Sequence, residues 1–193
     1  MHLVLFSKLL FINLFWKVLF MISLFIGRFQ PFHNGHLRAI EWILGKCDQV
    51  IVLIGSSQTC YQPENPFTVG ERVEMISRTL RARKISDRCL ILSVPDVNNN
   101  ALWVAHINSL VPRYDTVFSN NPLTKRLFKD AGRKVSPIPR FDRKDNDATL
   151  IRKSIPKDEK WRKKVPAEVE KFIDEISGVG RVREILGGDK HEN

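Results

Sequence analysis

The feature that most constrains this chain is the segment from Ile26 to His36, which reads IGRFQPFHNGH. It follows a short apolar run, Ile22–Ile26, and it precedes a helical pattern from Leu37 to Lys46. A strand that enters a helix through such a turn offers a ligand free backbone N–H groups and the positive end of the helix dipole. The segment therefore predicts an α/β fold with a phosphate bound at this junction.

Several residues of this turn suit a phosphate. Gly27 lets the backbone approach a ligand closely, and Pro31 stiffens the turn. His33 and His36 are three residues apart, so both can lie on one side of the first helical turn and donate to phosphate oxygens. The pair has two other interpretations: structural hydrogen bonds to the turn, or zinc ligation, for which no convincing third and fourth ligands are found. Arg28 has the alternative of an ordinary surface charge.

The same run, GRFQPFHNGH, resembles the signature of the HxGH nucleotidyltransferase superfamily, and its extended form resembles the archaeal type of nicotinamide-nucleotide adenylyltransferase. A second segment, Gly70–Ile76 (GERVEMI), is similar to the GERxxMI segment of that family. Within it, Arg72 is expected either to point toward the site or to pair with solvent. The resemblance runs from Ile22 to Ile185, so residues 1–20 lie outside it.

Apolar runs alternate with helical patterns, which is typical of a Rossmann-like, doubly wound parallel sheet of about five strands, here with C-terminal helices. The predicted strands are Ile22–Ile26, Gln49–Gly55, Cys89–Val94, Asp115–Phe118 and Lys134–Ser136. The predicted helices are Leu37–Lys46, Gly70–Arg83, Ala101–Leu110, Leu123–Ala131, Thr149–Ile155, Pro166–Ile176 and Gly178–Leu186. Thr68, with Glu71 three residues later, predicts a capping box. Right-handed crossovers place the loops that follow the strands at one rim of the sheet.

Residues 1–20 are apolar and rich in aromatic side chains. Their length is close to the roughly 20 residues of a membrane span, but two lysines and an asparagine interrupt the run. Because Ile22–Ile26 is required as the first strand, we interpret residues 1–20 as a mis-called or flexible extension, with Met21 as the natural start. An amphipathic arm and a membrane anchor are the alternatives. Residues 21–193 are expected to form a single nucleotidyltransferase domain.

The net charge of +10 suits phosphorylated small molecules, nucleic acid or anionic membranes, and does not choose among them. The basic residues are dispersed and form no stripe interleaved with aromatic side chains, so we expect neither a nucleic-acid partner nor a membrane. The chain has three cysteines and no CxxC pair. We interpret them as reduced thiols of a cytoplasmic protein.

Two further loops carry residues whose roles the resemblance implies. The Asn100 amide suits a carboxamide and the flat face of Trp103 suits a cationic ring, although Trp103 alone is better explained as a core residue of its helix. The resemblance implies that both bind nicotinamide mononucleotide. The segment Ser119–Pro122 (SNNP) is similar to the SGNP or SNNP loop of the family, which implies that Asn120 and Asn121 line the adenosine pocket.

The segment Asp147–Arg152 (DATLIR) resembles the late superfamily motif ISSTxIR or SGTxIR. In that motif the Thr149 hydroxyl and the following N–H groups take phosphate oxygens, and Arg152 supplies a fork for the triphosphate. The first two positions depart from the small residues of the motif, and a carboxylate beside polyphosphate is unfavourable unless it faces away or meets magnesium. Arg143, just before the motif, is expected to reach a phosphate. Without the resemblance, an ordinary capped surface helix is the preferred interpretation.

The resemblance implies adenylyl transfer from ATP to nicotinamide mononucleotide, with Mg²⁺ carried by the phosphates and no direct protein ligand. Catalysis is assigned to His36 at the α-phosphate, to His33 and Arg28 at the β- and γ-phosphates, and to Arg152 at the leaving pyrophosphate. A homo-oligomer is also implied, with a hexamer as one form. The alternatives are an HxGH transferase acting on phosphopantetheine, FMN or a phosphorylated alcohol, and a nucleotide-binding module without catalysis. The implied ATP-binding residues are Gly27, Arg28, Phe29, His33, His36, Asn120, Asn121, Thr149 and Arg152.

Overall fold

The computed structural model describes residues 20–141 and 147–187. The interpretation of residues 1–19 and the expected role of Arg143 lie outside these described residues. Among the described residues, no helix combines the length and the apolar character that crossing a membrane requires. All three cysteines are free thiols, and Cys47 is buried.

The centre of the fold is a five-stranded sheet in the order β3-β2-β1-β4-β5, with every neighbouring pair parallel. The strands are β1 Ile22–Gly27, β2 Gln49–Ile54, β3 Cys89–Ser93, β4 Thr116–Phe118 and β5 Val135–Ser136. The chain builds outward from β1 to β3 on one side, then returns to add β4 and β5 on the other. Open α/β sheets bind ligands beyond the carboxyl ends of their strands at such a reversal, here between β1 and β4.

Helices cover both faces of the sheet. They are α1 Asn34–Leu44, α2 Val69–Ala82, α3 Asn100–Leu110, α4 Pro122–Asp130, α5 Ala148–Ser154, α6 Ala167–Glu175 and α7 Gly178–Gly187. The buried side chains of α3 and α4 join one hydrophobic cluster, and those of the other five helices join the cluster on the opposite face. Two short 3₁₀ helices, Ser86–Arg88 and Glu159–Lys164, were not predicted.

The strand β2 shows why the sequence forms a doubly wound sheet. Val50, Val52 and Ile54 point into one cluster, whereas Ile51 and Leu53 point into the other, and all five are at most 1% exposed. A strand covered on both faces has no polar side, so it reads as a continuous apolar run. The predicted doubly wound parallel sheet of five strands is confirmed.

The predicted element boundaries differ from the observed ones by up to three residues. The largest shift is at α1, which begins at Asn34 instead of Leu37 because the His33 side chain caps it. The predicted capping box of α2 is confirmed: Thr68 accepts from the backbone N–H of Glu71, and Glu71 accepts from that of Thr68. Pro166 precedes α6 as its cap and does not occupy the first helical position, since its backbone is extended with ψ 150°.

Candidate active site

A cleft of about 370 Å³ opens at the carboxyl ends of β1 and β4, where the strand order reverses. Its walls are the end of β1, the start of α1, the loop after β4 and the segment that follows β5. Four of the predicted site residues line it: His33, His36, Asn120 and Asn121.

The two histidines form a reciprocal cap at the start of α1. The Nδ1 atom of His33 accepts from the backbone N–H of His36 at 3.3 Å, and the Nδ1 atom of His36 accepts from the backbone N–H of His33 at 3.3 Å. The two rings are stacked, with centroids 3.5 Å apart and planes 20° apart. The prediction that both lie on one side of the first turn is confirmed.

This arrangement selects one tautomer for each ring. A backbone N–H is always a donor, so each Nδ1 atom that accepts from it carries no proton, and the neutral ring bears its hydrogen on Nε2. Burial lowers the pKa of His33 from 6.5 to about 4, although the nearby Asp147 carboxylate opposes this shift. Burial, together with the His33 ring, lowers the pKa of His36 well below 6.5. At neutral pH the pair therefore supplies two uncharged Nε2–H donors.

Aromatic packing fixes the His36 ring. The edge of Phe29 meets it at a centroid distance of 4.8 Å, and Phe32 stacks on it at 5.6 Å. Phe29 is 1% exposed, and a Cβ atom on Gly27 would lie 2.9 Å from its ring, so the glycine leaves the space that this ring fills. Phe29 thus supports His36 from the core, and a contact between ATP and Phe29 would be limited to the backbone of Phe29.

The two arginines assigned to catalysis lie at the same turn. Arg152 is 4% exposed. Its Nη1 donates to the Gln30 carbonyl at 2.7 Å, and its Nη2 donates to the Thr149 hydroxyl at 3.3 Å. Burial, and after it the nearby charge of Arg28, lowers the pKa of Arg152. Arg28 itself is exposed. The fold therefore brings Arg28 and Arg152 to the turn that carries the histidines, but part of the Arg152 fork is already bonded to protein.

The start of α5 has an internal partner. The Asp147 carboxylate accepts from the backbone N–H groups of Thr149 at 2.7 Å and Leu150 at 3.3 Å. These N–H groups are the ones that the late-motif resemblance assigns to phosphate. The departure from the motif at Asp147 therefore has a structural effect, because its carboxylate occupies those donors. Phosphate binding by Thr149 stays a prediction.

The two asparagines after β4 build the opposite wall of the cleft. The Asn120 amide donates to the Ile138 carbonyl at 2.7 Å and accepts from the Ile138 N–H at 3.2 Å, which ties the loop after β4 to the segment after β5. Asn121 caps α4 by accepting from the N–H of Thr124 at 3.0 Å. Their polar groups thus shape the wall of the cleft, and a contact with adenosine stays a prediction.

The structure does not bring Asn100 and Trp103 into the lining of this cleft. Asn100 is the exposed first residue of α3 and lines a separate hollow of about 400 Å³ between α3 and α4. Trp103 is partly buried and meets Phe128 edge-on, with centroids 5.6 Å apart. The observed contact of Trp103 is therefore packing between helices, and the binding of nicotinamide by these two residues stays a prediction.

Two buried polar residues contact the loops of the site: Gln30, which was not predicted, and Arg72, for which two alternatives were open. Gln30 is 1% exposed, and its amide donates to the Phe67 carbonyl at 2.8 Å and accepts from the Phe67 N–H at 3.0 Å. Arg72 is fully buried and donates to the Arg28 and Gly55 carbonyls, which follow β1 and β2, so of its two alternatives the pairing with solvent was wrong. No local pattern marks either residue, because their partners are distant in sequence.

The chain is similar in sequence to a known family and to archaeal enzymes. Residues 24–164 match the cytidylyltransferase-like family. The chain is 45% identical to the nicotinamide-nucleotide adenylyltransferase of Saccharolobus solfataricus over 87% of this chain and 98% of that protein. It is 44% identical to the enzyme of the same name from Archaeoglobus fulgidus, over 86% of this chain and 98% of that protein.

A solved structure shares the fold at lower identity. It is a bifunctional NMN adenylyltransferase/ADP ribose pyrophosphatase from Francisella tularensis, complexed with AMP and a manganese ion. The TM-score is 0.76 at 22% identity, and the match covers 89% of this chain and 53% of that one. This likeness supports the assignment of the Rossmann-like α/β fold.

Proposed function

Because this chain belongs to the cytidylyltransferase-like family, and within it to the archaeal type of nicotinamide-nucleotide adenylyltransferases, we infer that it transfers the adenylyl group of ATP to nicotinamide mononucleotide. The products are NAD and pyrophosphate. The observation that carries this inference is that the match spans 98% of two archaeal enzymes of that activity. The two histidines facing a cleft at the strand reversal supply a site that suits a nucleoside triphosphate.

The reaction exchanges one phosphoanhydride bond for another. An oxygen of the 5′-phosphate of the mononucleotide bonds to the α-phosphorus of ATP, and the bond from that phosphorus to the bridging oxygen of pyrophosphate breaks. The attacking phosphate is already ionised at neutral pH, so no general base is required. The task of the protein is to align the reactants and to stabilise negative charge on the phosphate oxygens.

We assign the α-phosphate to His36 and the β- and γ-phosphates to His33 and Arg28. A neutral imidazole with its hydrogen on Nε2 donates to phosphate oxygen without needing to gain or lose a proton. The contacts of Phe29 and Phe32 with His36 support this role, because they hold the donor in one orientation before ATP binds. Arg28 adds an exposed positive charge at the same turn.

Of the residues that remain to be assigned, only the two asparagines line the cleft. Arg152 and Thr149 are assigned to the leaving pyrophosphate, supported by the attachment of Arg152 to the turn through Gln30. Asn120 and Asn121, which line the cleft, are assigned to the adenosine. Asn100 and Trp103, at the start of α3 and so at the same rim, are assigned to the nicotinamide nucleotide.

The divalent cation enters with its substrate. Within residues 20–141 and 147–187, no group of three or more His, Cys, Asp or Glu side chains could hold a metal ion. We propose that Mg²⁺ is bound by the phosphates of ATP and by water, without a direct protein ligand. A related solved structure contains a manganese ion with AMP, which is consistent with divalent metal use in the family.

The direct test is turnover by the full chain with ATP, Mg²⁺ and nicotinamide mononucleotide. NAD is measured by coupled reduction to NADH, and pyrophosphate release is measured in parallel. Matched reactions replace the acceptor with phosphopantetheine, FMN or a phosphorylated alcohol, and a further one replaces Mg²⁺ with chelator. With ATP and Mg²⁺ present, we expect both products when nicotinamide mononucleotide is the acceptor, and with none of the other acceptors. If pyrophosphate is released only with another acceptor, that acceptor is the substrate. If no pyrophosphate is released with any acceptor, the protein is a nucleotide-binding module without catalysis.

We also propose a homo-oligomer acting in the cytoplasm. Leu102, Leu123 and Leu150 are each more than half exposed, which leaves apolar area of the kind that subunit contacts cover. Light scattering coupled to size-exclusion chromatography measures the mass, and a monomer at micromolar concentration would contradict this proposal.

A further inference from the structure

A single buried side chain joins the loops that follow β1 and β2. Arg72 lies in the first turn of α2 and has no exposed surface. Its Nη1 donates to the Arg28 carbonyl at 3.1 Å and to the Gly55 carbonyl at 2.9 Å. Its Nη2 donates to the Ser56 carbonyl at 3.0 Å, and its Nε donates to the Thr68 carbonyl at 3.3 Å. One guanidinium thus contacts four backbone carbonyls from three segments.

The position of these carbonyls matters for the cleft. Arg28 is the first residue after β1 and opens the turn that carries His33 and His36, while Gly55 is the first residue after β2. The guanidinium therefore holds the start of the histidine turn to the end of the neighbouring strand. Its planar fork presents donors in a fixed geometry, so it also sets the distance between these two loops.

The next residue shows that this contact maintains a specific backbone conformation. Ser56 has φ 50°, in the left-handed region that residues other than glycine rarely adopt. Such a conformation persists when the surrounding structure holds it in place. The bond from Nη2 of Arg72 to the Ser56 carbonyl is one of the contacts that do so.

The charge of Arg72 is not neutralised by its partners. All four of its hydrogen bonds are to neutral carbonyls, and among the described residues it takes part in no ion pair. Burial, and to a smaller extent the nearby Arg28, lowers its pKa, although the nearby Cys60 and Asp96 oppose this shift. A buried cation in contact with an anion-binding turn favours occupation of that turn by a negatively charged ligand.

We propose that Arg72 is a positioning residue for adenylyl transfer, which fixes the histidine turn against the end of β2 without touching substrate. The proposal rests on the proposed function, because its readout is catalysis by the histidine turn. It differs from a general contribution to stability, since it predicts a loss in the chemical step that an equally buried residue of the same helix does not share.

The test compares Arg72→Lys with Ile76→Ala in the full chain. Lysine keeps the charge, but its donors radiate from one atom and cannot bridge the same carbonyls. Ile76 is fully buried in α2, one turn further on, and contacts the hydrophobic core. For Arg72→Lys we expect kcat to fall about 100-fold, the loss typical of a misplacement of about 1 Å, with KM for the mononucleotide within about two-fold of wild type. Ile76→Ala should lower the melting temperature while keeping kcat within about three-fold.

Two kinetic outcomes would overturn the proposal: a kcat of Arg72→Lys within about three-fold of wild type, or an equal loss in Ile76→Ala. A wild-type chain that makes no NAD would instead refute the proposed function. If Arg72→Lys does not fold, hydrogen exchange of the wild-type protein without ligand decides. Slow exchange of the Gly55 amide, which is bonded to the Gly27 carbonyl at 3.0 Å, supports a fixed loop, and exchange as fast as in exposed loops overturns it.

Discussion

The Nδ1 atom of His33 accepts from the backbone of His36, and the Nδ1 atom of His36 accepts from the backbone of His33, each at 3.3 Å. Each Nδ1 contact therefore belongs to the cap of the helix, and it also fixes the tautomer of the ring, so that the hydrogen lies on the Nε2 atom that remains for a ligand. A change at either residue acts on the start of α1 as well as on the proposed phosphate contact, so variants must separate the two roles.

Replacement of His36 by alanine should lower kcat about 100- to 1000-fold, the usual effect of losing one donor to charge that develops in the transition state. The protein should still fold, because α1 buries a full apolar face. Steady-state kinetics and circular dichroism measure the two effects.

Two amide variants separate donation from capping at this residue. In His36→Gln the side-chain N–H can reach the position of Nε2, whereas the shorter amide of His36→Asn stays near Nδ1. We therefore expect His36→Gln to retain more activity than His36→Asn. The reverse order would argue against donation by His36 to the α-phosphate.

Stability should depend on pH through the buried histidines. The pKa of His33 is about 4 in the folded protein and 6.5 in the unfolded chain, so between these values the unfolded chain binds more protons. His33 should not affect the free energy of unfolding above pH 6.5. Below pH 6.5 the free energy of unfolding should fall as the pH approaches 4. The expected slope is about 1.4 kcal/mol per pH unit for each neutral histidine.

The matched control for this pH dependence is His33→Asn, which caps a helix without titrating. Urea denaturation at pH 7.5, 6 and 5 should give a shallower loss of stability for this variant. Parallel curves for the wild type and His33→Asn would mean that His33 titrates normally in the folded protein.

Arg28→Ala should raise KM for ATP about 10- to 100-fold, because a charged hydrogen bond to phosphate is lost. The comparison variant is Arg126→Ala on α4, which removes the same charge from a side chain that is 77% exposed and paired with Asp130. Arg126→Ala should leave KM for ATP nearly unchanged. If both variants raise KM equally, the effect is that of net charge and not of a contact at the turn.

Asp147→Ser should lower KM for ATP by about two- to ten-fold, since it removes a negative charge beside the proposed pyrophosphate site. Serine retains an oxygen that can cap α5, so stability should change little. Asp147→Ala loses the cap as well, and its free energy of unfolding should fall by about 1 kcal/mol. A higher KM for ATP in Asp147→Ser would show instead that the carboxylate assists binding.

The alternation of apolar runs and helical patterns was sufficient to predict the sheet and most of its helices, because each element has its own periodicity. The spacing of His33 and His36 likewise placed both rings on one side of a turn. The resemblance then supplied an activity that the comparisons with archaeal enzymes support.

What sequence could not predict are the contacts between buried polar side chains and distant backbone. Arg72 bonds to a carbonyl 44 residues away, Gln30 to one 37 residues away, and Arg152 to one 122 residues away. Carbonyls are present at every position, so no residue pattern marks the partner. Asp147 was recognised as a departure from the motif, but its capture of the Thr149 N–H depends on side-chain orientation.

The pairing of β1 with β4 joins remote parts of the chain: the Ile22 N–H donates to the Asp115 carboxylate, 93 positions later, at 2.9 Å. The first half of the sequence contains His33 and His36, and the second half contains Asn120 and Asn121, which build the opposite wall of the cleft. A chain cut between β3 and α3 would yield two pieces, neither of which holds a complete cleft. The connection between β3 and α3 is therefore the place at which to divide the protein into complementing halves. Synthesis of a dinucleotide would then measure the reassociation of the two halves.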